Sequence, residues 1–310
     1  MKTNVTAETD VKEDTDLDSS GMSGESRSQW ALARRRFFHD RLAIFGLIIF
    51  SLIIIGSIAE IVLNPSGYQD LTGDYNQAPS WHHLFGTTTI GIDLFSACMK
   101  GVLQDLQIAL IVSVMSVVLG TTVGALAGYY GGKLDTFLMR LVDLILVVPG
   151  LAILIVLSNQ ISGKGNASLY LAFLLGALSW TYIARLVRAE FLSLRERTFV
   201  EAARALGADN RRIIFRHLIP NCIGTITVNA TLTIAGAILL ESTLSFLGLG
   251  LVPPEVSLGM LVQQGEEAAT TQWWQFAFPA SILLLIILSV FFIGDGLQSA
   301  LDPRKNRARS

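Results

Sequence analysis

Long apolar segments alternate with short polar ones along most of this chain. Six of the apolar segments approach the roughly 20 residues that a helix needs to cross a bilayer. They are Leu42–Leu63, Ile108–Tyr129, Phe137–Leu157, Leu169–Val187, Ile223–Leu240 and Phe276–Ile293. A short turn around Gly131–Asp135 joins the second to the third and predicts a helical hairpin. The pattern therefore predicts an all-α integral membrane protein with six transmembrane helices.

Composition agrees with this prediction. The 310 residues are 51% hydrophobic and 15% charged, whereas an average soluble domain is about 25% charged. A net charge of -2 argues against nucleic-acid binding driven by bulk charge, and two cysteines argue against a disulfide-stapled module.

The distribution of charge predicts the orientation of the helices. With both termini inside the cell, all 17 arginines lie in or beside cytoplasmic segments, and the outer loops contain only two lysines. This bias is the usual one for inner loops, so the expected topology is N-in and C-in. The outer side instead collects acids: Asp70, Asp74, Asp93, Asp105, Glu255, Glu266 and Glu267.

The N-terminal segment is polar and acidic. Its first 27 residues contain seven acids and three bases, too little apolar surface to offset the entropy of ordering. We expect a disordered acidic cytoplasmic tail over residues 1–29, and an uncleaved first helix because the first apolar run begins only near Leu42. An N-terminal region, 30–104, is expected to precede a transmembrane domain, 105–305.

A few polar or helix-breaking residues interrupt the predicted spans. Arg140 and Asp143 are three residues apart, so they are expected to pair on one helix face. Pro149 and Gly150 predict a bend in the third span, either a packing bend or a hinge. Glu241, at the outer end of the fifth span, is a functional candidate by its depth, although it can equally reach water there.

The fifth span is rich in hydroxyl groups and carries one polar face at helical spacing. This face is predicted either to line a transport path or contact a partner helix, or to serve tight helix packing. Its residues are Thr225, Asn229, Thr233 and Gly236.

The cytoplasmic loop 188–221 contains a predicted short helix. Thr198 lies three residues before Glu201, which is the spacing of a capping box. Good helix formers follow, and Gly207 is placed to end the helix.

A second short helix is expected directly after the first. Asp209 or Asn210 can cap it, and it would run through Ile213 and His217 until Pro220 breaks the chain. From these residues alone, the loop is either a docking surface for another protein or a basic amphipathic segment on the membrane surface.

Several sequence blocks resemble one family. The loop resembles the EAA loop of permease subunits in bacterial ABC importers, through Glu201, Ala202, Ala203, Gly207, Ile213, His217, Pro220 and Asn221. Four further blocks resemble the dipeptide and oligopeptide permeases, namely 83–101, 127–150, 240–261 and 294–304. The likeness runs from about residue 30 to 305 and is closest to the C-type permease.

The resemblance implies a fold, a function and partners. It implies a type I ABC importer permease fold in the bacterial inner or plasma membrane, with peptides as cargo; nickel or another small solute is the alternative. Implied partners are a second homologous permease, two ATPase subunits that bind ATP and Mg, and an extracytoplasmic substrate-binding protein. The implied ATPase-coupling residues are Thr198, Glu201, Ala202, Ala203, Gly207, Ile213, His217 and Pro220.

No cofactor, metal, nucleic acid or catalytic role is expected for this chain itself. The sequence has no G-x-x-x-x-G-K-[ST] phosphate loop, so we expect partner subunits to hydrolyse the ATP. Two roles remain open for Glu201, a contact with the ATPase or a cap on its own helix. An intramembrane enzyme or a secondary transporter would need buried catalytic or ion-binding residues that the sequence does not indicate.

Overall fold

A computed structural model describes residues 29–161 and 166–301. The tail predicted over 1–29 lies outside the described residues, apart from Gln29. All regular secondary structure in the described part is helical. The helices are α1 (Gln29–Phe37), α2 (Arg41–Leu63), α3 (Leu94–Tyr130), α4 (Gly132–Val147), α5 (Gly150–Ile161), α6 (Ala167–Leu194), α7 (Thr198–Ala205), α8 (Asn210–Arg212), α9 (Ile219–Phe246), α10 (Leu258–Ala268) and α11 (Trp273–Leu301), with a π-helical turn (Ile213–Leu218) between α8 and α9.

Five helical stretches are long and apolar enough to cross a membrane, and a sixth crossing is broken. The broken one consists of α4 and α5, which meet at a 70° bend. The bend follows from Pro149, which forces the preceding Val148 into an extended conformation (φ -78°, ψ 129°). The bend predicted at Pro149 and Gly150 is confirmed, and it divides the span into two helices.

Helix α3 begins 14 residues before the span predicted at Ile108. The Asp93 carboxylate accepts the Ser96 amide at 3.0 Å and caps the helix. At 37 residues, α3 is about 55 Å long. Asp105, predicted to precede the span, therefore lies inside α3, with only 1% of its surface exposed, so the predicted start of this span at Ile108 is wrong.

Helices α3 and α6 pack closely along a row of glycines, which we call the glycine seam: Gly120, Gly124 and Gly128. A Cβ on Gly124 would lie 2.5 Å from the Ala184 carbonyl oxygen and 2.9 Å from the Val187 Cβ. The neighbouring glycines meet α6 at similar distances. Small residues at four-residue spacing let two helix backbones approach, and this drives association in lipid.

Two ion pairs join α4 to α6. Arg188 forms a two-pronged pair with Asp135, in which its Nη2 lies 2.7 Å from Oδ2, and Arg185 pairs with Asp143. The predicted pairing of Asp143 with Arg140 is therefore wrong, because the facing arginine on α6 occupies the carboxylate instead.

Helix α10 packs against α9 and α11 after a loop that begins at Leu247. Gly259 lies directly on the α9 backbone at Ser242, since an added Cβ would be 2.5 Å from that Cα. Glu241, the residue before Ser242 in α9, is fully buried. The alternative in which Glu241 reaches water is therefore wrong.

Candidate functional site

The loop between α6 and α9, which we call the α7 loop (residues 195–218), is the site to which most of the predicted functional residues belong. Helix α7 begins at Thr198, and its N-cap is Arg197, which has extended backbone angles and no side-chain capping bond. Because Thr198 is the first helical residue rather than the cap, the predicted capping box is wrong. Glu201 is exposed in the first turn, where its charge favours the helix dipole.

Helix α7 has one buried and one open face. Val200 and Ala203 are buried, and Val200 belongs to an apolar cluster that includes Ile213 and Leu218. The opposite face carries Glu201, Ala202 and Ala205, all exposed, and the helix is followed by Leu206, which is 89% exposed. The open face of α7 therefore presents one large apolar side chain beside a low, alanine-rich surface.

Gly207 ends the helix as predicted. Its φ of +82° is unfavourable for residues with a Cβ. The Gly207 amide donates to the Arg204 carbonyl at 2.9 Å, and the Ala208 amide donates to Ala203 at 3.0 Å. These two bonds form a Schellman motif, so the helix end is fixed by the backbone itself.

The second helix of the loop is capped by Asp209, whose carboxylate accepts the Arg212 amide at 3.2 Å. The chain then remains helical from Asn210 to Phe246, so the break predicted at Pro220 is wrong. Pro220 instead lies near the start of α9, inside this continuous helix. The turn before it widens to a π-helix that includes His217, which is half-buried; this relieves the clash of a proline ring with an i-4 carbonyl.

The end of α3 supports the α7 loop. The Tyr129 hydroxyl donates to Asn210 Oδ1 at 2.7 Å, and the Arg204 guanidinium lies over the Tyr129 ring at 5.8 Å. Arg195 donates to the Gly128 carbonyl at 3.2 Å. The loop is therefore joined by side-chain contacts to the end of α3, one of the two helices of the glycine seam.

The polar side chains of the face predicted on α9 donate mainly to backbone carbonyl groups of α9 itself. The Asn229 amide donates to the Thr225 carbonyl and the Thr233 hydroxyl to the Asn229 carbonyl, both at 2.8 Å. Thr225 also faces Glu190 of α6 at 3.4 Å. Back-bonding to the preceding turn lets hydroxyls sit in an apolar helix, so this face does not act mainly through hydrogen bonds to other helices.

Two residues of that face, Thr233 and Gly236, line a cavity of about 330 Å³ between α5, α6 and α9. A Cβ on Gly236 would meet nothing within 4 Å. The other walls are mainly apolar and include Leu151, Leu154 and Tyr182. The cavity lies beside the bend between α4 and α5.

In the segment between α2 and α3, one histidine lies beside two aspartates. His83 Nδ1 lies 2.7 Å from Asp93 Oδ2 and its Nε2 lies 3.5 Å from Asp74. The hydrogen bond to Asp93, with a smaller contribution from Asp74, raises the pKa of His83 above 6.5. Asp93, which caps α3, is thus also the partner of His83.

Sequence reasoning missed two features of the molecule. One is the burial of Asp105 beside Glu241, and the other is the glycine seam. A signal for the first existed, because apolar residues at helical spacing continue backwards from Ala109 through Val102 and Cys98 to the cap at Asp93.

Comparison with known proteins identifies the family. Residues 120–307 match the family described as binding-protein-dependent transport system inner membrane component. Residues 28–79 match the N-terminal TM domain of oligopeptide transport permease C.

Curated relatives match over almost the whole chain. The oligopeptide transport system permease protein OppC of Mycobacterium tuberculosis is 40% identical over 288 residues, which cover 92% of this chain and 98% of the relative. A putative peptide permease of Brucella suis is 41% identical, over 90% of this chain and 92% of the relative. OppC of Haemophilus influenzae is 39% identical, over 91% of each. The chain therefore belongs to the family of inner-membrane components of binding-protein-dependent transport systems.

Proposed function

We propose that this chain is one of two permease subunits of an ATP-driven importer that carries peptides through the bacterial inner or plasma membrane. Membership of the transport family supports the permease role, and the names of relatives about 40% identical over nine-tenths of the chain support peptides as the cargo. The cavity beside α5 is mainly apolar, which suits cargo with varied side chains better than a hydrated metal ion.

The α7 loop is the proposed docking site of the ATPase. The observation that carries this assignment is the open face of α7, where Glu201, Ala202 and Leu206 are exposed on a helix whose other side is anchored. Placing this loop in the cytoplasm follows from the N-in and C-in topology, which the arginine distribution favours. ATP and Mg would bind to the ATPase subunits, and a binding protein would deliver cargo on the other side.

In the proposed mechanism, closure of the two ATPase subunits moves the α7 loops. Because the loop is tied to α3 through Tyr129 and Arg195, its movement is passed to the glycine seam as a rigid body. The bend at Pro149 lets α5 change its angle to α4, so the cavity can open alternately to either side. This proposal gives the α4–α5 bend the role of a hinge.

Uptake measured in cells that lack the chromosomal copy of this chain tests the proposal. In cells complemented with Glu201→Lys, the uptake of labelled peptide is expected to fall at least tenfold, because a positive charge replaces an exposed negative one on the docking face. Glu266→Lys is the matched control, because it makes the same charge reversal at an exposed acid on α10, outside the α7 loop, and it should retain uptake. Nickel uptake that depends on this chain, without peptide uptake, would contradict the peptide cargo. Normal peptide uptake by Glu201→Lys at equal membrane abundance would contradict the docking role.

A further inference from the structure

Asp105 and Glu241 are buried together where α3, α9 and the start of α10 meet. Only 1% of Asp105 and none of Glu241 is exposed. Their carboxyl groups lie within hydrogen-bonding reach of one another. Each acid comes from a different helix, so the contact joins segments far apart in sequence.

The two acids receive different numbers of hydrogen-bond donors. Glu241 receives hydroxyl groups from its own helix, Ser245 at 2.6 Å and Ser242 at 3.4 Å, and Ser257 contributes a further bond from the start of α10. Asp105 receives one donor, the Leu258 amide, which lies 3.2 Å from Oδ2. Three donors favour a charge on Glu241, whereas Asp105 has only one.

The second oxygen of Asp105 has no donor at all. Oδ1 is buried and unpartnered, and an unsatisfied buried oxygen is costly. If both acids were ionised, Oδ1 would also face a second negative charge in a medium of low dielectric. A proton on Oδ1 removes both problems, because the hydroxyl then donates to Glu241.

No basic group in the described part of the chain compensates the pair. The ion pairs there lie elsewhere, at His83, Arg185 and Arg188. The only titratable group that faces either acid from α3, α9 or α10 is the other acid. Two carboxyl groups at one site without a counter-charge hold one proton between them.

We propose that Asp105 and Glu241 share a single proton, and that this protonated pair fastens α10 and the loop before it to α3 and α9. Asp105 receives the Leu258 amide on one oxygen and donates from the other, so it bridges α10 to Glu241. Ser257 completes the junction by bonding Glu241 from the same turn. The inference does not depend on the cargo or on the ATPase partner.

Asparagine at position 105 has the bonding pattern of the protonated acid. Its oxygen accepts the Leu258 amide and its NH₂ donates to Glu241. Leucine has a similar volume and can do neither. The pair Asp105→Asn and Asp105→Leu therefore separates hydrogen bonding from packing, and Glu266→Gln, an exposed acid on α10, serves as a control for removing a carboxylate.

Two measurements on the full-length chain, purified from membranes with whatever subunits accompany it, test the proposal. Hydrogen exchange over residues 251–262 should stay within twofold of wild type in Asp105→Asn and rise about tenfold or more in Asp105→Leu. Infrared spectra at neutral pH should show the C=O stretch of a protonated carboxylic acid in wild type and in Glu266→Gln. This band should be absent from the spectrum of Asp105→Asn.

Three results would overturn the proposal. The first is an infrared spectrum of wild type without that carboxylic acid band. The second is exchange over 251–262 that rises equally in the asparagine and leucine variants, since both acids would then be needed as charges. The third is loss of protection in wild type on removing sodium or divalent cations, which would assign the pair to a bound cation.

Discussion

The glycine seam and the α7 loop both contain small residues, but those of the seam are covered by a neighbouring helix and most of those of the loop are exposed. On the seam, Gly124 is so closely covered by α6 that an added Cβ would meet the Ala184 carbonyl oxygen at 2.5 Å. On α7, the small residue Ala202 is exposed, and a Cβ on Gly207 would meet nothing within 4 Å. The first set of small residues is covered within this chain, whereas the second leaves a flat surface free.

This difference distinguishes packing from docking. A small residue that is covered allows two helices of one chain to approach, and bulk added there must push helices apart. A small residue that is open within a single subunit leaves room for something outside it. The two regions therefore respond to the same kind of substitution in different assays, one in stability and the other in transport.

The largest effect is expected for Gly124→Leu. The new side chain would overlap the α6 backbone, and we expect destabilisation of about 3 kcal/mol or more with loss of folded protein from the membrane. Thermal unfolding and membrane abundance measure it. Gly236→Leu is the matched control, because it adds the same side chain at a glycine whose Cβ would enter open space; equal losses in both variants would contradict the packing role of the seam.

Ala202→Leu is expected to separate transport from folding. The residue is exposed, so the melting temperature should stay within about 2 °C of wild type. Peptide-stimulated ATP hydrolysis by the assembled importer should fall several-fold, because the added bulk holds the partner away from α7. An unfolded variant, or one with full ATPase stimulation, would show that this face is not a docking surface.

A smaller effect is expected when the ion pair between α4 and α6 is removed. Arg188→Ala leaves the mostly buried Asp135 carboxylate without its partner and should cost about 1–2 kcal/mol. A double-mutant cycle with Asp135→Asn measures the coupling by thermal unfolding. Strictly additive effects of the two substitutions would show that the pair does not hold α4 on α6.

The smallest effect concerns pH. Because the Asp93 bond raises the pKa of His83 above 6.5, the stability that this bond contributes is fully present below about pH 6.5. It is lost as the pH rises through the higher pKa of the folded state. The melting temperature of wild type should therefore fall more steeply than that of His83→Asn over that range. Melting temperatures that fall equally with pH in wild type and His83→Asn would contradict a charged His83.

Apolar periodicity was sufficient to predict the membrane spans, because a lipid-facing helix must be apolar over its length. The same signal predicted α3 too short, since its first turns face α10 and α2 and include polar residues such as Ser96 and Asp105. The capping box was wrong because Arg197, outside the motif, took the cap position. Such outcomes depend on packing between segments distant in sequence, which local spacing does not encode.

The α7 residues illustrate both cases. Gly207 and Asp209 act through their own backbone neighbourhood, so their roles as helix end and cap could be predicted from local sequence. Pro220 could not, because the π-helical turn that accommodates it also depends on Ile213 and Leu218 packing under α7. Two roles were predicted for Glu201. Because the capping box is wrong, the contact with a partner is the role that remains to be tested.

Site-directed cross-linking from Leu206 tests the central claim most directly. Leu206→Cys places a thiol at a position that is 89% exposed, whereas Leu71→Cys places one in the segment between α2 and α3 at a position that is 66% exposed; both native cysteines are buried. In the assembled importer, we predict a cross-linked product between position 206 and an ATPase subunit, and none from position 71. Absence of the product from position 206, or equal products from both positions, would contradict docking of the ATPase on α7.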